Sequence, residues 1–172
     1  MELSGEYGVK LDDMGRIGLP RQLRDTLEKT EIVLLRGRRG KEPCLWLYTV
    51  GEWKSRKEKA IARADLLVLQ HLNTKAGIEF DKQGRVLIPQ TLRKYARLSK
   101  DCMVVGQDDH VEIWAEDRYD EYIEATGEDL TAAWEKQSVL QLKEKGFADD
   151  GNGAYPGAAG ADAGVLNPQG GA

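Results

Sequence analysis

Residues 8–24 read GVKLDDMGRIGLPRQLR, and residues 77–93 read GIEFDKQGRVLIPQTLR. The two stretches align without a gap at an offset of 69, with identical pairs at Gly8/Gly77, Asp12/Asp81, Gly15/Gly84, Arg16/Arg85, Pro20/Pro89, Leu23/Leu92 and Arg24/Arg93. Val9/Ile78, Leu11/Phe80, Ile17/Val86 and Leu19/Ile88 keep their apolar character. Gly18 stands where the second copy has Leu87. Further on, LWLYTVGEW at 45–53 matches VEIWAEDRY at 111–119, so the similarity covers roughly the whole of each half. A repeat of this length means one supersecondary unit used twice.

The unit can be read locally. Val9-Lys10-Leu11 and Ile78-Glu79-Phe80 alternate apolar and polar residues, as a half-buried strand does. DDMGR and DKQGR follow, with Asp12 and Asp81 first and Gly15 and Gly84 fourth. Asp can hydrogen-bond the turn backbone and Gly can take positive φ, so both are turns. Short strands follow at Arg16–Leu19 and Arg85–Ile88. Pro20 and Pro89 end them and open short helices over 21–29 and 90–97, with Leu23 and Leu92 facing inward. Further strands are expected at Ile32–Leu35, Leu45–Tyr48, Cys102–Val105 and Val111–Trp114.

Between the copies, Trp53, Ala60, Ala64, Leu67 and Val68 recur at helical spacing, which predicts one helix from Glu52 to about His71. Tyr119, Tyr122 and Ile123 start another helix after Glu116. Gly127 is expected to break it, and Leu130, Ala133, Trp134 and Leu140 mark the next. These stripes read as packing surfaces against the chain's own core or a sister subunit. Residues 148–172 are Gly- and Ala-rich and lack the apolar content that repays ordering entropy, so they read as a disordered tail.

The 172 residues carry a net charge of −4 and a pI near 5.3, which at face value argues against a nucleic-acid partner. The charge is unevenly placed. From Met14 to Lys41 eight bases face three acids, a net of +5. From Lys82 to Lys100 six bases face no acid, and residues 101–172 carry −12. Two basic blocks therefore coincide with the two turn-and-helix units. RGRRGK at 36–41 reads as a flexible basic loop suited to nonspecific contacts. It is no P-loop, because the spacing and the Ser/Thr after Lys are missing.

Several classes are set aside. No apolar run reaches the ~20 residues of a membrane span. MELSGEYGVK lacks the pattern of a secretory signal, so an intracellular protein is the expectation. Cys44 and Cys102 sit among apolar neighbours and read as core thiols, with no metal or disulfide spacing. His110, with Glu112 on the same strand face, reads as a solvated edge, and His71 has no local Ser or Cys partner. GNGAYPG at 151–157 is not a dinucleotide fingerprint. No nucleophile with a base, carboxylate cluster or phosphate loop is found, so the chain reads as a non-enzyme with no cofactor, metal or small-molecule substrate.

The turns offer chemistry suited to DNA. Arg16 and Arg85 follow a Gly turn at a strand tip, where a guanidinium can reach a groove or phosphates, and Arg can fork onto guanine. Arg21, Arg24, Arg93, Lys94 and Arg97 can touch phosphates from the short helices. The alternative is that Asp12 with Arg16, and Asp81 with Arg85, are ion pairs that only brace each turn. The residues themselves leave that choice open.

The doubled Asp-x-x-x-Arg, the I-x-L-P and V-L-I-P runs, CLWLY at 44–48, GEW at 51–53 and DKQGRVLIPQTLR resemble the MraZ family over about residues 1–145. The resemblance implies a mainly β fold with helices (α+β), a pseudo-symmetric double-repeat AbrB/MazE-like swapped-hairpin β-barrel. It divides the chain into a first repeat at 5–53, a connecting helix at 54–75, a second repeat at 76–119, C-terminal helices at 120–146 and a tail from 147. It also implies a bacterial transcriptional regulator, expected to be a repressor, of the division and cell-wall gene cluster. The expected partner is double-stranded DNA with short direct repeats, bound by a homo-oligomeric ring in the cytoplasm and associated with the nucleoid. A ring lines up many weak basic turns, and linked sites raise avidity without new contacts. An antitoxin-like or protein-binding assembly module of the same barrel is the alternative; the Gly/Ala-rich tail, lacking an amphipathic stripe, weakens it.

Overall fold

A computed structural model describes residues 3–144. The Gly- and Ala-rich stretch expected to be disordered lies outside them. Residues 3–127 form one compact unit. Its first repeat supplies β1 (Glu6–Lys10), β2 (Arg16–Gly18), α1 (Arg21–Leu27), β3 (Ile32–Arg39) and β4 (Glu42–Thr49). The connection holds α2 (Val50–Ala62) and α3 (Leu66–Leu72). The second repeat supplies β5 (Ala76–Ile78), β6 (Arg85–Leu87), α4 (Gln90–Tyr95), β7 (Asp101–Gly106) and β8 (Val111–Ala115), and α5 (Glu116–Glu144) comes after it.

The sheet shows how the repeats use each other. Its order is β1-β7-β8-β4-β3-β5, antiparallel throughout, while β2 pairs β6 in a separate ribbon. The first strand of each repeat thus pairs with the hairpin of the other: Val9 lies opposite Cys102, and Ile32 opposite Ile78. A pseudo-twofold axis runs between β4 and β8, where Trp46 faces Glu112, and between β2 and β6, where Ile17 faces Val86. Single bridges, Leu11 to Ile17 and Phe80 to Val86, carry the pairing from β1 and β5 onto the ribbon. The exchange of strands expected of a swapped-hairpin fold is therefore present in an α+β chain.

The hydrophobic pattern explains the layers. Alternate residues of a strand face opposite ways. Ile17 and Val86 turn inward with Leu19, Ile88, Leu23, Leu92 and Leu27, and meet Leu34, Leu45, Leu47, Val104 and Ile113 from the large sheet. Each such side chain contributes about 1.5–3 kcal/mol on burial. On the sheet's other face, Val33, Leu35 and Tyr48 pack under Trp53, Ala60 and Leu72 of α2 and α3. Cys44, Val105 and Trp114 pack against Tyr119 at the start of α5. Both cysteines are buried and free, as their apolar neighbours suggested.

Four expectations need correction. The stretch 52–71 is two helices, because the chain turns at Ala64 (φ 52°) and Asp65 restarts it by accepting from the Val68 N–H (3.1 Å). Leu66, Leu67 and Val68 are consequently exposed rather than packed within this chain. Gly127 does not break a helix; α5 runs through it, since one exposed Gly costs a helix only ~1 kcal/mol. RGRRGK is not a flexible loop: Arg36–Arg39 complete β3 and pair with Glu42–Leu45 of β4, leaving Gly40 and Lys41 as the turn. His110 is not a solvated edge: Tyr48 stacks on it (ring centroids 5.0 Å) and its Nδ1 and Nε2 approach Asp109 (2.6 Å) and Glu112 (3.4 Å).

Candidate nucleic-acid interface

Each Asp-x-x-x-Arg unit folds as a closed turn. The Asp12 N–H donates to the Arg16 carbonyl (2.9 Å) and the Gly15 N–H to the Asp12 carbonyl (2.9 Å). One Asp12 carboxylate oxygen accepts from the N–H groups of Met14 (2.9 Å) and Arg16 (2.9 Å), and the other from Arg16 Nε (2.8 Å). Asp81 repeats the pattern with Gln83 (2.8 Å), Arg85 N–H (2.9 Å) and Arg85 Nε (2.8 Å). The Arg16 and Arg85 backbone N–H groups are the main reason both carboxyls are held below the usual carboxylate range. Asp12 and Asp81 thus each hydrogen-bond the backbone of their own turn.

The turns are also interlocked. Gly15 and Gly84 take positive φ (82° and 72°), where L side chains are strained. A Cβ on Gly15 would strike the Arg93 guanidinium at 2.5 Å, and one on Gly84 would strike Arg24 at 2.3 Å. Each repeat's helix thus lays its arginine across the other repeat's glycine turn. The Ile88 N–H donates to the Gly15 carbonyl (2.9 Å), and Arg85 Nη1 approaches Asp12 (3.6 Å). Sequence spacing does not reveal this cross-seating, although the identity of Arg24/Arg93 at equal distance from the turns is its trace.

The β2–β6 ribbon turns Ile17 and Val86 inward and therefore Arg16, Gly18, Arg85 and Leu87 outward. Leu87 is 55% exposed and Met14, at the first turn, 67%. Arg16 and Arg85 are about one-third exposed, so both brace their turn and present part of the guanidinium outside. A guanidinium carries five donors, and holding Asp12 through Nε leaves others for a ligand.

The remaining sequence-picked cations differ between repeats. On α1, Arg21 pairs with Asp25 (3.5 Å) and Arg24 with Glu28 (3.2 Å). On α4, Arg93 is half-buried against Gly15, Lys94 is exposed, and neither has an ion pair among the described residues. The structure thus gathers Arg93 with the first turn and Arg24 with the second, and leaves Arg21 and Lys94 at the periphery.

Sequence reading missed a buried polar cluster at the pseudo-twofold axis. Glu112 is 1% exposed. It accepts from Arg39 Nε (2.6 Å), Trp46 Nε1 (3.2 Å) and Trp114 Nε1 (3.0 Å), beside His110 Nε2 (3.4 Å). Burial alone would raise its carboxyl, but the hydrogen bonds from His110 and Arg39 outweigh it and hold the group below its usual range. Among the described residues no group of three or more His, Cys, Asp or Glu could hold a metal ion, and no helix is long and apolar enough to cross a membrane.

Comparison with known proteins gives a consistent result. The family model described as "MraZ protein, putative antitoxin-like" matches residues 3–66 and 73–140. A protein of Lactobacillus helveticus (strain DPC 4571) named "Transcriptional regulator MraZ" is 37% identical over 148 residues, 80% of this chain and 98% of that protein. One of the same name from Treponema denticola is 36% identical over 140 residues, 77% of this chain and 95% of that protein. A third, from Pediococcus pentosaceus, is 36% identical over 136 residues, 73% of this chain and 90% of that protein. Among solved structures, the solution structure of PHS018 from Pyrococcus horikoshii matches at 15% identity and a TM-score of 0.31, covering 66% of this chain and 89% of that one.

Proposed function

The chain belongs to the MraZ family, and from that membership we propose that it is a transcriptional regulator that binds DNA through its two Asp-x-x-x-Arg turns. The observation that carries this reading is the doubled turn itself. Two arginines stand on the outward face of one ribbon, each braced by an aspartate and backed by the other repeat's arginine. Bracing and reading are compatible here: a preorganised guanidinium loses less entropy on binding a guanine edge or a phosphate.

The finer reading is a repressor of the division and cell-wall gene cluster, working in the cytoplasm at the nucleoid. Arg16 and Arg85 enter the DNA groove at short direct repeats, while Arg21, Arg24, Arg93 and Lys94 hold phosphates. One chain of net charge −4 binds weakly by this route, so a ring of copies supplies the valency. Its relatives bear the name of regulators, not enzymes, and no catalytic step is assigned.

The test is titration of a promoter fragment with direct repeats against a scrambled fragment at two salt concentrations. Repeat-dependent, salt-sensitive binding that falls at least tenfold in Arg16→Ala/Arg85→Ala, with the fold intact, is expected. Equal affinity for both fragments sinks the sequence-specific reading and leaves the antitoxin-like or assembly module.

A further inference from the structure

The two hairpins that the pseudo-twofold axis relates are unequal. The pairing of Arg36 with Leu45 in the first corresponds to Gly106 with Val111 in the second. Beyond it, residues 37–44 close the first hairpin as a paired extension, whereas residues 107–110 close the second. The first tip reads GRRGKEPC and the second QDDH, so one is basic and the other acidic.

Their surroundings differ too. The N-terminal residues cover the second tip: Leu3 and Asp108 exchange backbone hydrogen bonds (3.0 and 2.7 Å), and the Gly106 N–H donates to the Gly5 carbonyl (2.8 Å). A Cβ on Gly106 would lie 2.6 Å from Leu3 and Ser4 backbone. The basic extension is instead seated on α4, where the Tyr95 hydroxyl donates to the Gly37 carbonyl (3.0 Å) and Arg36 lies over the Tyr95 ring (5.3 Å). Arg39 is spent on Glu112 and Glu42 lies near Arg118 (3.7 Å). Arg36, Arg38 and Lys41 have no ion pair among the described residues, and neither do Lys94 and Arg97 on and just after α4.

Together these residues form a continuous path. The first turn touches Arg93, Arg93 and Tyr95 share the end of α4, and Tyr95 holds the extended hairpin. Along it, Arg36, Arg38, Lys41, Lys94 and Arg97 are free of ion pairs among the described residues. On the pseudo-symmetric counterpart, Arg21 and Arg24 of α1 are neutralised by Asp25 and Glu28, and the hairpin tip is acidic. Arg85 is likewise the more committed turn arginine, reaching Asp81 through Nε and Nη2 and Asp12 through Nη1.

We infer that the first hairpin is a nucleic-acid phosphate-binding finger: residues 36–41, seated on α4, add phosphodiester contacts beside the first turn that the acidic second tip does not supply. The inference rests on the DNA-binding reading above. It assigns Arg38 and Lys41, with Lys94 and Arg97 behind them, as backbone contacts. Phosphate contacts position a protein without reading bases, so the finger adds affinity equally to every sequence.

The experiment compares the full-length protein with Arg38→Gln/Lys41→Gln, Lys94→Gln/Arg97→Gln and, on α2 at the sheet's other face, Lys54→Gln/Lys59→Gln. The probe is fluorescein-labelled duplex DNA, in direct-repeat and scrambled forms, titrated from about 50 to 200 mM salt. All substituted side chains lie at the surface, and far-UV circular dichroism melts check that the fold is kept. Removing one phosphate-binding cation flattens the slope of log K against log salt by about 0.9. The first two variants should therefore flatten it by nearly two units and bind both DNAs about tenfold more weakly. Lys54→Gln/Lys59→Gln should stay within twofold. Unchanged slope in the finger variant, or equal weakening by the α2 variant, overturns the finger while leaving the DNA reading intact. If the unaltered protein binds neither duplex, the DNA reading falls and takes this inference with it.

Discussion

Replacing Glu112 by Gln tests what holds the two repeats together at their axis. The carboxylate is almost wholly enclosed, and its oxygens face different indoles: Trp46 Nε1 donates to Oε1 and Trp114 Nε1 to Oε2. Arg39 Nε donates to Oε1 as well. Gln offers one oxygen and one amide nitrogen, so either orientation sets an N–H donor against an indole N–H. The unsatisfied buried donor costs about 1–3 kcal/mol, and the missing charge-assisted bond adds about 1 kcal/mol after allowing for the 37% exposure of Arg39. The sum, about 3 kcal/mol, is a large fraction of an ordinary domain's stability. Arg39→Met keeps both indole bonds but removes the charged partner of a buried carboxylate, which costs about 3 kcal/mol or more. Urea unfolding followed by tryptophan fluorescence measures both. With a slope of roughly 1.5 kcal/mol per molar, Glu112→Gln should move the midpoint down by about 2 M. A midpoint shift under about 0.3 M for Glu112→Gln would refute the donor-conflict reasoning.

Three more outcomes are expected from the same geometry. Gly15→Ala and Gly84→Ala each place a side chain at positive φ and against the other repeat's arginine, so each should lower stability by about 1–2 kcal/mol, read as a fall in melting temperature; an unchanged melt would show that the turn relaxes freely. The depressed Asp12, Asp81 and Glu112 carboxyls bind protons less readily folded than unfolded. Their contribution is present above the unfolded carboxylate range and is lost as pH falls through the depressed folded values, so denaturation midpoints should drop on acidification below about pH 5; a flat profile there contradicts the assignment. Burial raises the Cys102 thiol to about 11 and pushes Cys44 higher still, so an aromatic disulfide reagent at pH 8 should label neither until urea unfolds the chain; a rapid burst in native buffer would contradict their burial.

Much of the local structure is legible in the sequence because it is encoded locally. The Asp and Gly of each turn, the prolines ahead of α1 and α4, and the alternation of β1 need no distant partner to be recognised. Strand partners are another matter. Nothing in Val9 says that it faces Cys102, and the exchange emerges only when both repeats bury one shared core. The helix break at Ala64 carries no Gly or Pro; an ordinary residue takes the left-handed conformation there and Asp65 caps α3. RGRRGK reads as a loop because its charges mask Gly37 and Pro43, both buried in the hairpin ladder. His110 reads as solvated because its chain neighbours are polar, whereas Tyr48 and Trp46, more than sixty residues away, enclose it.

For the candidate interface, the residue types are legible and their division of labour is not. Arg16 and Arg85 look equivalent in the sequence, as do Arg24 and Arg93. The structure separates them through Asp12, which Arg85 also approaches, and through Glu28, which has no acidic counterpart at Arg97. Under the proposed reading, bracing the turn and touching DNA are two tasks of one side chain rather than rivals.

The exchange of strands also sets a clock on synthesis. Val9 waits for Cys102, a partner 93 residues downstream, and at about 5–20 residues per second a ribosome delivers it roughly 5–20 s later. Until then a nascent first repeat holds a finished hairpin with β1 unpaired, and the edge of β3 is unpaired as well until β5 emerges. On a crowded polysome a neighbouring nascent chain offers those same edges, and the nearest hairpin belongs to another copy. Co-translational timing therefore decides whether two repeats of one chain, or the first repeats of two chains, close on each other first.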